Sequence, residues 1–569
     1  GFMRRLNLIG LALVMPFLTL PLPATPARQT RGAAAVAAAP SAPSAAVRAA
    51  AERIKAEKLK EDLFFIASDE MAGRDTPSPG LDKVADFIAE RLAKLKLRPA
   101  GDEGTYFQNI DLVRTEVDRE QTRAQLGDRV FRAANDFLPA GGGAAEGQLV
   151  FAGHGWVVRS KNLNAYEGLD VRDKIVVVAG DGQAPPPGLT LRDVSDLPGG
   201  SWETPVSYAQ KHGARGLVFV PQNFQRRWRY GAYSVARPTF YPERLAAEDE
   251  EDEGGGAARA TAPLPAIIPS AAMLAALFEG EQADGARVLR AATSGEALPG
   301  FALAPSKRLA LDLRVKNDRA RTRNVVAVVE GGDPKLKSEY VALGAHYDHV
   351  GTGRAVNGDS IYNGADDDGS GTAALLALAE AFAQGPRPRR SILFIWHTGE
   401  EKGLWGSQYF TEHPTVPLDR VITQLNIDMI GRSKRAGDTN PRNRMLSLPD
   451  EIYVIGSRMM STELANLSES VNRSYLGLKF NYHYDDPSDP ERLFYRSDHY
   501  NYARKGVPII FYFDGVHEDY HQPSDHADKI DYRKMERVSR TIFVLASELA
   551  NADKRPAVDR PATAEQFAR

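Results

Sequence analysis

The segments VALGAHYDHVG (341–351), NGADDDGSGT (363–372), SILFIWHTGEE (391–401) and VITQLNIDMIGR (421–432) decide how this chain folds. Three of them open with continuously apolar, β-branched or aromatic runs, which read as strands buried on both faces. SGTAALLALAEAFAQG (370–385) reads as a helix stopped by Gly385 and Pro386. RNVVAVVEG (323–331) and VPIIFYFDG (507–515) are further strands. GLWGSQYFTEH (403–413) and TELANLSESVNR (462–473) are further helices. Strands alternating with helices predict an α/β fold, with a mainly parallel or mixed central sheet flanked by helices. Ligands bind such sheets outside the carboxyl ends of the strands. His346, Glu400, Glu401 and Asp428 all fall at predicted strand ends.

Outward from this core the texture changes. LDKVADFIAERLAKLKL (81–97) has helical apolar spacing, a helix is expected from about Val47 to Ala67, and YFQNIDLVRTEVD (106–118) reads as a strand. Short β runs with Gly/Pro turns follow PAGGGAAEG (139–147) and predict an inserted module over 141–308. The expected organisation is therefore a signal peptide at 1–27, an Ala/Pro-rich linker at 28–50, and a first part of the main domain at 51–140. The insert at 141–308, the metal-bearing part at 309–555 and a tail at 556–569 complete it. The acidic, Gly-rich stretch 247–258 reads as a solvated excursion. Arg226, Arg227 and Arg229 around Trp228 read as surface rather than as a binding patch.

With 569 residues and 43% apolar content, the chain can form several cores. A net charge of −3 does not favour nucleic acid. The absence of cysteine excludes disulfides, thiolate metal sites and a Cys nucleophile. Arg4 and Arg5 precede LNLIGLALVMPFLTLPLP (6–23), the pattern of a cleaved export signal, with a small-residue exit near Ala24 to Ala27. The expectation is a periplasmic or secreted protein with no stable membrane insertion after cleavage.

The polar residues suggest two divalent cations sharing a carboxylate. Asp348 lies two residues after His346, on the same side of an extended chain, where it can orient the imidazole. Asp366, Asp367 and Asp368 precede a helix. One Asp would suffice as an N-cap, and three adjacent ones suggest a balancing cation. Glu400 and Glu401 can divide their labour, one binding metal and the other accepting a proton. His517, His521 and His526 supply a late candidate ligand in a chain with 11 histidines. Spacing alone does not choose among these three, nor which aspartate of the triplet bridges.

The ordered set HxD, DDxSG, GEE, (N/L)DM and a late YH resembles the co-catalytic di-zinc aminopeptidases related to glutamate carboxypeptidase. The resemblance covers about 50–140 and 310–550, and it implies a zinc exopeptidase-like fold. YEGLDVRDKIVVVAGD (166–181) and YAQKHGARGLVFVP (208–221) resemble a protease-associated domain. The resemblance implies two Zn2+ per chain. His346 and Asp428 would hold one, Glu401 and His521 the other, and Asp367 would bridge them, with a cis Asp367–Asp368 peptide. It further implies Glu400 as general base for a metal-activated water, and Tyr520 as an oxyanion donor. The implied activity is removal of N-terminal residues from peptides. Carboxypeptidase or dipeptidase action is the alternative, since Arg432, Arg435, Arg442, Arg444 and Arg496 lie in candidate site loops. A binding protein on an inactive peptidase fold is a third reading. Ser497, Asp498 and His499 are expected to be structural supports.

Overall fold

The computed structural model describes residues 42–560 apart from most of 181–200 and residues 236, 244–263 and 297. The expected signal peptide, the stretch 247–258 and the last residues of the tail lie outside the described residues, as does the side chain of Arg229.

A ten-stranded mixed sheet forms the centre. Its order is Thr239–Pro242, Phe107–Val117, Val315–Val329, Ser391–His397, Tyr340–His346, Val421–Ile427, Ile509–Phe513, Glu451–Ile455 and Lys479–Asn481, with Arg98–Pro99 pairing beside Val315–Val329. The middle four strands run parallel. Their side chains alternate between two apolar layers. Val341, Leu343 and Ala345 join the helices Ala56–Ile66, Pro79–Lys94, Gly371–Gln384 and Tyr532–Asn551, while Ala342 joins Phe410, Tyr502 and Phe511 on the opposite face. Burial on both faces explains why these strands are mostly apolar, with Thr423, Gln424 and Asn426 buried in the third of them.

The single helix expected over 47–67 is two, Ala45–Ala51 and Ala56–Ile66. The break is held by the last long helix. Glu536 accepts the Ala56 N–H at 2.6 Å, and the Arg540 guanidinium donates to the Ile54 carbonyl at 2.8 Å. The linker expected to 50 is thus helical from Ala45, because Val47, Ala50 and Ala51 bury into the main core.

A second, nine-stranded sheet has the path Arg129–Arg132, Arg123–Leu126, Arg308–Leu313, Gly143–Phe151, Ile175–Val178, Gly216–Phe219, Ala266–Pro269 and Phe137–Pro139, with Phe301–Ala302 on Gly143–Phe151. It begins before 141 and ends after 308. The Gly-rich run near 143 is one end of a strand, not a joint. Within this span, Thr239–Pro242 leaves the second sheet and pairs antiparallel with Phe107–Val117 of the central one. Among the described residues no helix is long and apolar enough to cross a membrane.

Candidate metal centre

The parallel strands deliver the key side chains to one end of the sheet. His346 is the last residue of its strand, and Asp428 follows directly after Ile427. Glu400 and Glu401 sit in a turn that begins three residues beyond His397, entered through Gly399 at φ 67°. Asp366, Asp367 and Asp368 occupy an irregular turn before the helix Gly371–Gln384, with a cis peptide between Asp367 and Asp368.

Asp367 stands in the middle. Its Oδ1 lies 3.3 Å from His346 Nε2, and its Oδ2 lies 3.0 Å from His521 Nε2. Asp428 Oδ1 is 3.6 Å from His346 Nε2, and Glu401 Oε2 is 3.1 Å from His521 Nε2. Two groups of donor atoms therefore meet at one aspartate: His346, Asp367 and Asp428 on one side, and His349, Asp367, Glu401 and His521 on the other. His521 Nε2 and Glu401 Oε1 are buried yet make no hydrogen bond among the described residues. Carboxylates and imidazoles converging without hydrogen-bond geometry are the donor set that a pair of divalent cations requires. The residues fit such ions.

The neighbouring aspartates hold the turn. Asp368 accepts the N–H groups of His346 at 3.2 Å, Gly371 at 2.9 Å and Met429 at 3.1 Å, so it ties three segments of the site together. Asp366 accepts Gly431 N–H at 2.7 Å and lies 3.2 Å from His517 Nε2. Asp525 accepts the N–H groups of Asp366 and Asp367. Of the three late histidines only His521 reaches the centre; His526 is half-buried, 3.4 Å from Asp359.

Asp348 behaves differently from the expectation. His346 Nδ1 is 3.2 Å from the Asp348 backbone carbonyl and 3.6 Å from its carboxylate. The carboxylate instead accepts the N–H of Glu400 at 3.1 Å and of Glu401 at 3.4 Å.

Electrostatics separate the carboxylates. Burial, with Glu401 and Asp428 nearby, pushes Glu400 well above the usual carboxylate range, against the pull of His346. Burial would also raise Asp367, but the imidazoles of His346 and His521 beside it hold it well below. Burial works against a charged His521, yet Asp367 and Glu401 raise it to about 10. Burial raises the Tyr520 phenol, so it stays protonated, and its ring stacks 4.0 Å from that of His521.

Ser497 donates to Asp428 Oδ2 at 2.6 Å, Asp498 lies 3.4 Å from His397 Nδ1, and His499 stacks on Phe511. All three are buried beneath the centre. Arg432 is buried and paired with Asp519 at 2.8 Å, and Arg444 pairs with Glu491 at the surface. Arg435 and Arg442 are exposed. Arg496 alone of the five borders the pocket beside the centre, with Glu400, Asp428, Met429, Leu493, Phe511, Phe513, Val516 and Tyr520.

Two residues escaped the sequence reading. Arg74, at the end of the helical turn Asp69–Arg74, is fully buried and donates to the carbonyls of Tyr347, Ile66, Asn363 and Gly364. His349 is fully buried with Nδ1 2.8 Å from Glu401 Oε1.

Residues 324–546 match the model of peptidase family M28. The chain is 26% identical over 238 residues to a probable leucine aminopeptidase of Trichophyton verrucosum, covering 40% of this chain and 58% of that protein. It is 37% identical over 131 residues to a probable leucine aminopeptidase 2 of Aspergillus oryzae, covering 22% and 24% respectively. The chain thus spans little more than half the length of the first of these relatives. In fold it is similar to the aminopeptidase from Aneurinibacillus sp. strain AM-1, with a TM-score of 0.50 and 16% identity, covering 90% of this chain and 98% of that one.

Proposed function

We propose that the chain is an exported, zinc-dependent exopeptidase that removes N-terminal residues from peptides. The observation that carries this reading is Asp367, whose two oxygens face His346 and His521 at 3.3 and 3.0 Å. His346 and Asp428 would hold one zinc, Glu401 and His521 the other, with Asp367 shared. Two such ions lower the pKa of a water and polarise a scissile carbonyl.

The chain's own residues supply the rest. Glu400 borders the pocket beside Asp367 and Asp428, where its carboxylate can take a proton from water and pass it to the leaving amine. Asp348 holds the Glu400 main chain in place. The Tyr520 hydroxyl remains a donor at neutral pH and can stabilise a developing oxyanion. Met429, Leu493, Phe511, Phe513 and Val516 give the pocket an apolar wall suited to an apolar side chain. The relatives' designation as leucine aminopeptidases accords with that wall.

Arg496 favours a second reading. A guanidinium on the pocket wall suits a substrate carboxylate, as a carboxypeptidase or dipeptidase would need. Chromogenic aminoacyl amides against N-blocked peptides separate the two: cleavage of amides alone supports the first, and cleavage of blocked peptides alone supports the second. Metal analysis showing no zinc after reconstitution would return the chain to a binding role. Export rests on the pattern of residues 4–27. The segment 141–308 is proposed as a protease-associated domain. Arg237 from this segment donates to the Thr352 carbonyl at 2.7 Å, near the loop that follows His349.

A further inference from the structure

His349 is absent from the five ligand positions implied by the resemblance, yet it faces the same centre. Its ring is fully buried, and its Nδ1 lies 2.8 Å from Glu401 Oε1 and 3.8 Å from Asp367 Oδ2. The ring meets that of His521 edge-on at 5.5 Å. Its place is fixed from three sides. The His349 N–H donates to the Arg74 carbonyl at 3.0 Å. Gly364 packs so closely, at φ 57°, that a Cβ there would fall 2.4 Å from the ring. Glu401 fills the third side.

His349 Nε2 has no hydrogen-bond partner among the described residues, and the 2.8 Å approach of its Nδ1 to Glu401 Oε1 lacks the geometry of a good hydrogen bond. A buried imidazole left without partners costs free energy, so such atoms point to a missing one. Donor atoms of His349, Asp367, Glu401 and His521 all lie within 4.8 Å of one another, while the other group offers only His346, Asp367 and Asp428. Four protein donors close a tetrahedral site; three leave a position open.

We propose that His349 is a ligand of the Glu401–His521 ion, and that the two metal positions are therefore unequal. The four-donor position is closed and binds first. The three-donor position, bordered by the pocket that Asp428 and Glu400 line, keeps the free place for a reacting group. This rests on the metal-hydrolase reading above, which it deepens.

The test loads metal-free protein with one equivalent of zinc and counts imidazoles by X-ray absorption. Two imidazoles per zinc are expected, from His349 and His521. One imidazole overturns the proposal without any variant. In parallel, metal-free wild type and His349→Ala are titrated with Co2+ while the visible d–d bands are followed. Wild type should fill in two stages at least 10-fold apart in affinity. In His349→Ala the first stage should weaken by at least 10-fold and its band should change shape, while the second stage persists. An unchanged first stage in the variant overturns the proposal. A His349→Gln variant that restores the wild-type first stage also overturns it, since a hydrogen bond to Glu401 would then suffice. Failure of wild type to bind any metal would instead sink the hydrolase reading itself.

Discussion

The Asp348 carboxylate accepts the main-chain N–H of Glu400 at 3.1 Å. Two neighbouring strands, ending in His346 and His397, are thereby locked together at the point where chemistry is proposed. Asp348→Ala should lower turnover or zinc affinity by about 10–100-fold, the usual effect of removing a group that orients ligands. Steady-state kinetics and competition with a chromogenic chelator read the two effects. Wild-type values for both would exclude Asp348 from the working parts.

Glu400→Gln keeps the shape and the hydrogen-bonding reach of the side chain but cannot take a proton. Turnover should fall by roughly 10²–10⁴-fold with zinc content unchanged. Near-wild-type turnover would show that another group is the base.

Arg74 donates four hydrogen bonds to buried carbonyls, joining the helix end at Ile66 to the loops after His346 and before Asp367. Arg74→Met strands these acceptors and should destabilise the fold by about 3 kcal/mol or more. Arg74→Lys should recover only part, because an ammonium cannot reproduce the planar fork. Chemical denaturation of both variants measures the difference, and a loss in Arg74→Met below experimental error would refute the assignment.

His499 provides a pH signature away from the metal ligands. Burial lowers its ring from the ordinary 6.5 to about 4, and Nε2 donates to the Phe494 carbonyl at 2.8 Å. As pH falls through 6.5, the unfolded chain gains a proton here that the folded chain refuses until about 4. Stability attributable to this ring is therefore complete above the window and declines within it, by about 1.4 kcal/mol per pH unit. His499→Gln should flatten the dependence of the denaturation midpoint between pH 6 and about 4.5 relative to wild type. Parallel curves for the two proteins would contradict the assignment.

The strand that carries His346 was legible because burial on both faces leaves a nearly unbroken apolar run ending at a polar residue, and the strand before Asp428 by its β-branched and apolar residues despite Thr423, Gln424 and Asn426. Asp367 and His521 were named by resemblance, since spacing could not choose among three aspartates or three histidines. His349 and the true partner of Asp348 were hidden for one reason. Side-chain alternation is a rule of strands, and this strand stops at His346, so the residues after it point where the turn sends them. Arg74 was hidden because a charged residue in a polar loop reads as solvent-facing unless its acceptors are known. The edge of the second sheet was misplaced because glycines near 143 resemble a linker while serving as strand.

The short strand Thr239–Pro242, flanked by Pro238 and ending in Pro242, lies along the rim of the central sheet. Prolines at both ends leave few free amides for another polypeptide to join. Cutting away the segment that contains it would bare the outer side of Phe107–Val117 at Leu112–Thr115. A fragment lacking 141–308 should then self-associate more readily than the whole chain.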